Sequence, residues 1–506
     1  MKIAGLDIGT TGCKCTVFDE RGQYLGRAYR DYPVKRAVGG HEVDASALLE
    51  GVFACIREMA QQYEEIGGIG VTSFGEAFVC TDEAGVPLYP VMLYTDPRGA
   101  EECRELAEQL GEKKIAGITG LRPHEMYSMP KIMWIKKNCP EIYSATRRIF
   151  LMEDFVIWHL TGKAQIDYSL ASRTMAFDIN RLCWSQEVFA AAGVDSGLMS
   201  KPVPTGTAVG TVTDAAAGQT GLGKDTIVVS VGHDQIAAAV GAGAFDSDVA
   251  VDGAGTVECL TPIYDRVPDM DVMYEGYFSV VPYVVPGKYV AYAFSYTGGA
   301  LIQWCVETVG QKAKELAANE GMSVNTYLEQ AYRKEHDCME GEDAAPSGLL
   351  VLPHFAGAAT PYMDTGSKGA VLGLTTATTP ADLYRGCMEG VVYEMYLNFM
   401  ALQNSGIRFT KLHATGGGAH SAEWMQMKAD VLNLPIIALK TVDAGTVGSA
   451  MLTGVAIGLF KDLETAASCM VEETATYEPR QHMHEKYMLL YEKYKDVYQA
   501  VRGLMP

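Results

Sequence analysis

The chain has 506 residues and is acidic: 41 Lys and Arg against 62 Asp and Glu give a formal charge of −21. Its 48% hydrophobic and 20% charged residues are a globular composition, which excludes a disordered chain, a collagen-like chain and a disulfide miniprotein. The charge argues against a nucleic-acid binder but leaves nucleotides open, because glycine loops and a metal ion neutralise phosphates locally.

At roughly 150 residues per domain, two to four domains are expected. The opening MKIAGLDIGTTG has no apolar leader, and no run of 18 apolar residues occurs. The twelve cysteines are scattered without a C-x-x-C. Together these read as a reduced, cytoplasmic protein with no membrane partner and no structural zinc.

In chain order, KIAGLDIG, KCTVFDE and QYLGRAYRDYPV read as a meander of strands, with Gly9-Thr10-Thr11-Gly12 turning between the first two. A helix is expected over 45–63. GGIGVTSFGEAFVCTD carries a buried strand, and GVPLYPVMLYTDPR a second. Residues 99–192 read as mainly helical. The strand TIVVSVG (226–232) runs into His233-Asp234 and an Ala-rich helix.

From about residue 246 the pattern restarts, with DVAVDGAGTVECLTPIYD as strand, small-residue turn and strand. Each half thus opens on an apolar strand with an acidic residue (Asp7, Asp252) before a Gly/Thr turn. This favours two related α/β domains facing a cleft. Further on, PADLYRGCMEGVVYEMYLNFMALQNSG and AGTVGSAMLTGVAIGLF read as helices, KLHATGGGAHSAEWMQMKADVL as a strand, and 482–502 as a polar, tyrosine-rich helix.

Three motifs could carry chemistry, and a fourth imitates it. GQTGLGKD (218–225) nearly matches a phosphate loop. However, Asp225 replaces the hydroxyl residue and the segment precedes its strand, so it reads as a helix-to-strand connection. Asp7-Ile8-Gly9-Thr10-Thr11-Gly12 reads either as a phosphate turn with a magnesium-side carboxylate or as an Asp-capped hairpin. His233-Asp234-Gln235 places a carboxylate at the C-terminal end of a strand, where open α/β sheets hold chemistry; the alternative is a helix N-cap. Gly253-Ala254-Gly255-Thr256, Thr297-Gly298-Gly299 and Thr415-Gly416-Gly417-Gly418 are either loops that approach a nucleotide or three tight turns.

Five ordered segments resemble the FGGY carbohydrate kinases, built on the actin/hexokinase (ribonuclease H-like) fold. DIGTTGCKCTVFDERG is similar to that family's opening D-x-G-T-[ST]-x-x-[KR]. VTSFGEAFVCTDEAGVPLYPVMLYTDPR is similar to its segment ending in D-x-R. FLMEDFVIWHLTGKAQIDYSLASRTMAFDI is similar to its third, and TTATTPADLYRGCMEGVVYE and GGGAHSAEWMQMKADVLNLPI to its two C-terminal signatures.

The resemblance implies an α/β fold of two domains around a central cleft. A sugar-binding domain is expected at 1–245, an ATP-binding domain at 246–460, and a helical segment at 461–506 that packs back on them. It implies ATP-dependent phosphorylation of a carbohydrate hydroxyl. A five- or six-carbon ketose, xylulose-like, is the expected acceptor, with gluconate, glycerol and erythritol as alternatives and a non-kinase ATPase of the actin-like superfold as the rival reading. Asp234 matches the family's catalytic base and Asp7 the carboxylate near Mg²⁺. Thr10, Thr11, Gly255, Thr256, Gly298, Gly417 and Gly418 match ATP-side positions. Gly75, Glu76, Asp96, Asp234 and Gln235 match the substrate side, with Arg98 completing the D-x-R.

Several positions depart from the xylulose kinase pattern. Gly75-Glu76 stands where xylulose kinases carry Met-His. Asp234-Gln235 resembles glycerol kinases, whose Glu is preceded by an Arg that SFGEAF lacks. Tyr94 replaces the usual Trp. Mg²⁺ with ATP as co-substrate, no nucleic acid, and a homodimer like that of related kinases complete the expectations.

Overall fold

The computed structural model describes residues 1–37, 40–339, 342–440 and 443–505; Pro506 of the expected C-terminal segment lies outside them. Two sheets carry the fold. The first runs in the order Thr207–Thr211, Ile227–His233, Ile66–Ser73, Lys2–Ile8, Gly12–Phe18, Tyr24–Asp31. Lys2–Ile8 is antiparallel to Gly12–Phe18 and parallel to Ile66–Ser73, which in turn is parallel to Ile227–His233.

The second sheet repeats that plan. Val249–Ala254 is antiparallel to Glu258–Tyr264 and parallel to Lys411–Thr415. Lys411–Thr415 is parallel to Ile436–Leu439, and Glu473–Tyr477 closes the edge antiparallel, as Thr207–Thr211 does in the first sheet. The restart at residue 246 is therefore a structural duplication, with sequence identity lost and topology kept.

The central strands are apolar on both faces because helices cover both. Leu6, Ile8, Ile69 and Val71 are fully buried. Two helices, Asp234–Gly241 and Ala444–Ala456, lie between the sheets. Ile3 and Val229 of the first sheet and Val249, Val251 and Leu439 of the second share one core with Ala237, Val240, Val447 and Met451. Their backbones approach so closely that a Cβ on Gly448 would stand 1.8 Å from the Ala237 carbonyl oxygen. The helix Ala444–Ala456 belongs to the second half by chain position, yet it also packs on the first strand: a Cβ on Gly5 would meet the Thr446 carbonyl oxygen at 2.1 Å.

Three sequence expectations change. The segment 411–432 is not one strand: Lys411–Thr415 stops at Gly416, whose φ of +92° breaks the extended run, and the helix Ala422–Leu432 follows. GVPLYPVMLYTDPR holds only the two-residue strand Val91–Met92 and an isolated bridge from Pro87 to Thr81, because Pro90, directly before the strand, has no N–H to extend the ladder. The C-terminal helix ends at Tyr494 and is not polar all round, since Tyr487, Tyr491 and Tyr494 bury against the helix Pro380–Asn404. Residues 218–225 do connect the helix Asp214–Thr220 to the strand Ile227–His233. Among the described residues no helix is long and apolar enough to cross a membrane.

Candidate active site

Asp234 is the first residue of the helix Asp234–Gly241, directly after the buried strand Ile227–His233. His233 takes the N-cap position, so Asp234 is not a cap. The strand reaches this point through Gly232, at φ +102°. A Cβ there would stand 2.5 Å from the carboxylate of Asp167 and from the Ser169 hydroxyl. Burial pushes the Asp234 carboxyl up to about 7. The charges of Asp7 and Glu76 act in the same direction, and the Gln235 N–H and Arg173 oppose them. Asp7, Glu76 and Asp234 therefore share one electrostatic neighbourhood although they lie on three separate strand ends.

His233 links Asp234 to the second half of the chain. Its Nε2 is 3.4 Å from Asp234 Oδ1, and its Nδ1 is 3.2 Å from the Tyr292 hydroxyl. Burial, with Arg173 nearby, holds its imidazole well below the usual range, so it is neutral at pH 7. Gln235 follows on the same turn, half-buried.

Glu76 sits at φ +64° on the loop after Ile66–Ser73 and is 5% exposed. Arg173 Nε donates to Glu76 Oε1 at 2.6 Å, and its Nη2 pairs with the same oxygen. Arg173 also donates to Ser279 Oγ at 3.1 Å and lies over the rings of Tyr127 and Tyr292. Gly75 makes room for this arrangement: a Cβ there would be 3.0 Å from both Arg173 Cγ and His233 Cδ2. Tyr94 faces the same charges. Burial, then Glu76 and Asp234, push its phenol up.

Asp96 is placed differently. Its Oδ2 accepts from the His41 N–H at 2.7 Å and from Arg98 Nη2 at 2.6 Å, and its Oδ1 from Arg98 Nε at 2.8 Å. Arg98 reaches on to Glu42 at 2.7 Å. The pair shapes its loop, and the structure does not bring Asp96 into direct contact with Asp234 or Glu76.

Asp7 lies near the end of Lys2–Ile8, where burial raises its carboxyl while Lys14, 3.1 Å away, opposes the rise. Lys14 Nζ also contacts Asp443 Oδ1 at 2.8 Å, which ties the first turn to the helix Ala444–Ala456. The turn is tight: the Gly9 N–H donates to the Gly12 carbonyl at 2.9 Å, and the Tyr32 hydroxyl donates to the Gly9 carbonyl. Thr10 is half-buried and Thr11 exposed on it.

A cavity of about 920 Å³ opens in the second half. Gly255, Thr256, Gly299, Gly417 and Gly418 line one part, and Ser323–Thr326, Glu329, Tyr384, Met388 and Trp424 other parts. Four of the five glycine and threonine positions expected here line it. Gly298 lies one residue off the lining, with its N–H donating to the Thr256 carbonyl at 3.0 Å. Backbone-rich loops at one end and side chains of mixed polarity elsewhere suit a phosphorylated nucleotide.

Sequence reading missed Arg173, Tyr292 and Ser279, and it named His233 only as the neighbour of Asp234. Arg173 was visible as a basic residue in the SLASRT segment, but its partner is 97 positions away. Among the described residues no group of three or more His, Cys, Asp and Glu is arranged to hold a metal. Asp7 supplies one carboxylate, which suits a cation that takes its other oxygens from phosphates and water.

Comparison with known proteins identifies the family. The model of the N-terminal domain of the FGGY family of carbohydrate kinases matches residues 2–241, and that of the C-terminal domain matches 257–457. A xylulose kinase of Lactococcus lactis is 26% identical over 98% of this chain and 96% of its own length. A glycerol kinase of Carboxydothermus hydrogenoformans is 28% identical over 91% and 90%. The crystal structure of a gluconate kinase from Lactobacillus acidophilus superposes with a TM-score of 0.87 at 22% identity, covering 99% of this chain and 98% of that one, and so shares the fold. The chain belongs to the FGGY family of carbohydrate kinases, enzymes that transfer a phosphoryl group from ATP to a carbohydrate.

Proposed function

We propose that this kinase phosphorylates a hydroxyl of a five- or six-carbon ketose, xylulose-like, with Asp234 as the general base. The observation that carries the reading is the Asp234 carboxyl, at the end of a buried strand, raised to about 7 by burial and two neighbouring carboxylates. A base poised near the operating pH takes a hydroxyl proton most effectively. The end-to-end match to xylulose kinases supports the ketose.

The acceptor binds on residues 1–245 and ATP on residues 246–460, with 461–506 packing back on the second domain. Glu76, with Oε1 held by Arg173, offers its other oxygen to sugar hydroxyls, and Gly75 and Gln235 complete that wall. Asp96 acts through the loop that it and Arg98 shape. Gly255, Thr256, Gly417 and Gly418 approach the nucleotide, Gly298 backs them, and Thr10 and Thr11 offer hydroxyls to the transferring phosphate. Asp7 would hold Mg²⁺, through water, and the ion would offset charge on the phosphoryl oxygens. Asp234 accepts the hydroxyl proton as the acceptor oxygen bonds to phosphorus, and ADP departs. Neutral His233 keeps Asp234 oriented from the Tyr292 side.

One observation favours a polyol as second reading. Arg173 supplies, from a distant element, the arginine beside Glu76 that glycerol kinases carry in sequence. The test is ADP release with Mg·ATP against ketoses, aldonates and polyols, with Asp234→Ala alongside. One acceptor should raise turnover far above background, and Asp234→Ala should lower it by about 10²–10⁴-fold. Near-normal turnover in Asp234→Ala overturns the base assignment.

A further inference from the structure

The hairpin that carries Gly255 and Thr256 has a carboxylate on each strand. In its register Asp252 faces Leu260 and Ala254 faces Glu258, so Asp252 and Glu258 are diagonal neighbours on one face. Both are sealed from solvent, at 0% and 3% exposure. Lys428, fully buried on the helix Ala422–Leu432, meets both: its Nζ is 2.6 Å from Asp252 Oδ2 and also pairs with Glu258 Oε1. None of the three lines the 920 Å³ cavity.

The cluster borders two of the glycine loops around that cavity and reaches the third through Trp424. Asp252 and Glu258 flank Gly255-Thr256. Glu258 Oε2 lies against the second loop, where a Cβ on Gly298 would stand 3.1 Å from it. Lys428 is one helical turn from Trp424, with Nζ 4.8 Å from the ring centroid. Trp424 in turn abuts the third loop, where a Cβ on Gly418 would be 2.9 Å from Trp424 Cζ3 and 2.9 Å from Ala254 Cβ.

We propose that Lys428 is a positioning residue for the nucleotide: through Asp252 and Glu258 it locks the loops at Gly255, Gly298 and Gly418 into one phosphate-binding surface. This rests on reading the cavity as the nucleotide site. A buried ammonium on its own is costly, and two buried carboxylates more so; together they persist because the ammonium pairs with one oxygen of each carboxylate. Burial, then the neighbouring Asp252, push the Glu258 carboxyl well up, and Lys428 opposes the rise. Helix-borne Lys428 is rigidly packed, which suits it to fix backbone N–H groups that have few side chains of their own.

The test compares wild type, Lys428→Met, Lys428→Arg and the triple variant Lys428→Met/Asp252→Asn/Glu258→Gln. The readouts are thermal melting, calorimetric binding of Mg·ADP, and KM for ATP and for the acceptor. Lys428→Met leaves two buried carboxyls without their cation and is expected to fold poorly. The triple variant removes every charge at similar volume and is expected to fold. In the triple variant the Mg·ADP Kd and the ATP KM should rise by roughly 10²-fold, the scale of a misplaced binding loop. The acceptor KM should stay within about twofold of wild type, and Lys428→Arg should recover part of the nucleotide affinity. A folded triple variant with wild-type Mg·ADP affinity overturns the proposal, as does an equal loss on the acceptor side. A wild-type enzyme that turns over but binds no Mg·ADP in this cavity, shown by unchanged affinity in Gly418→Val, removes the nucleotide-site reading instead.

Discussion

Asp234 owes its properties to position. It sits where a strand that is buried on both faces hands over to a helix, so it is desolvated while its side chain stays about a third exposed. With the carboxyl raised to about 7, only the ionised fraction accepts a proton. Acceptor-dependent kcat/KM is therefore expected to climb with pH, nearly tenfold per unit well below 7, and to level off above it. A flat profile between pH 5.5 and 8.5 would refute this. The same shift has a stability sign. A carboxyl raised above its unfolded value near 3.8 adds stability that is complete below that value and lost as pH rises through about 7. Asp234→Asn should thus melt higher than wild type at pH 8 and lose that advantage at pH 5. Asp234 and Glu76 were legible because each lies within a matched motif. Arg173 was not, since nothing local marks an arginine for a glutamate 97 residues away.

The helices Asp234–Gly241 and Ala444–Ala456 show how far an element can be read from its letters. Their Ala/Gly-rich strings predict helix, and helix is found. The letters do not say that the two cross in contact between the sheets. At Gly448 an added methyl would overlap the Ala237 carbonyl oxygen, and at Gly241 that of Ala444 at 1.9 Å. Gly448→Ala is accordingly expected to destabilise by about 1–3 kcal/mol, the cost of overpacking a tight contact. Because Ala237 lies one turn from Asp234, kcat should fall more than the acceptor KM rises. A variant with wild-type melting and kcat would show that the helices can part without consequence. The misread segment 411–432 makes a related point. Lys411–Thr415 and Ala422–Leu432 are both largely buried, and the backbone turn at Gly416, the short 3-10 turn Gly417–His420 and the Ser421 cap separate strand from helix.

In the whole molecule, two sheets of one topology carry the two halves, and the helices between them give both a common core. Lys14 adds a polar tie between the halves, from Asp7 to Asp443. A ligand that binds the folded cleft alone should stabilise the whole chain. Mg·ADP at 100 times its Kd is expected to add about 2.7 kcal/mol, read as a concentration-dependent rise in Tm. A Tm indifferent to Mg·ADP up to millimolar concentration would contradict the nucleotide-site reading of the cavity.

Local patterns were enough for the class of fold, the restart at the second half, the glycine loops and the carboxylates at strand ends. Strand periodicity, glycine turns and motif spacing are all written over a few consecutive residues. The partners of those residues were decided by tertiary structure. Glu76 with Arg173, Lys428 with Asp252 and Glu258, and Lys14 with Asp443 join positions far apart in the chain. A buried charge takes its partner from whatever the packed sheets and helices bring within about 3 Å, and that choice depends on the fold as a whole.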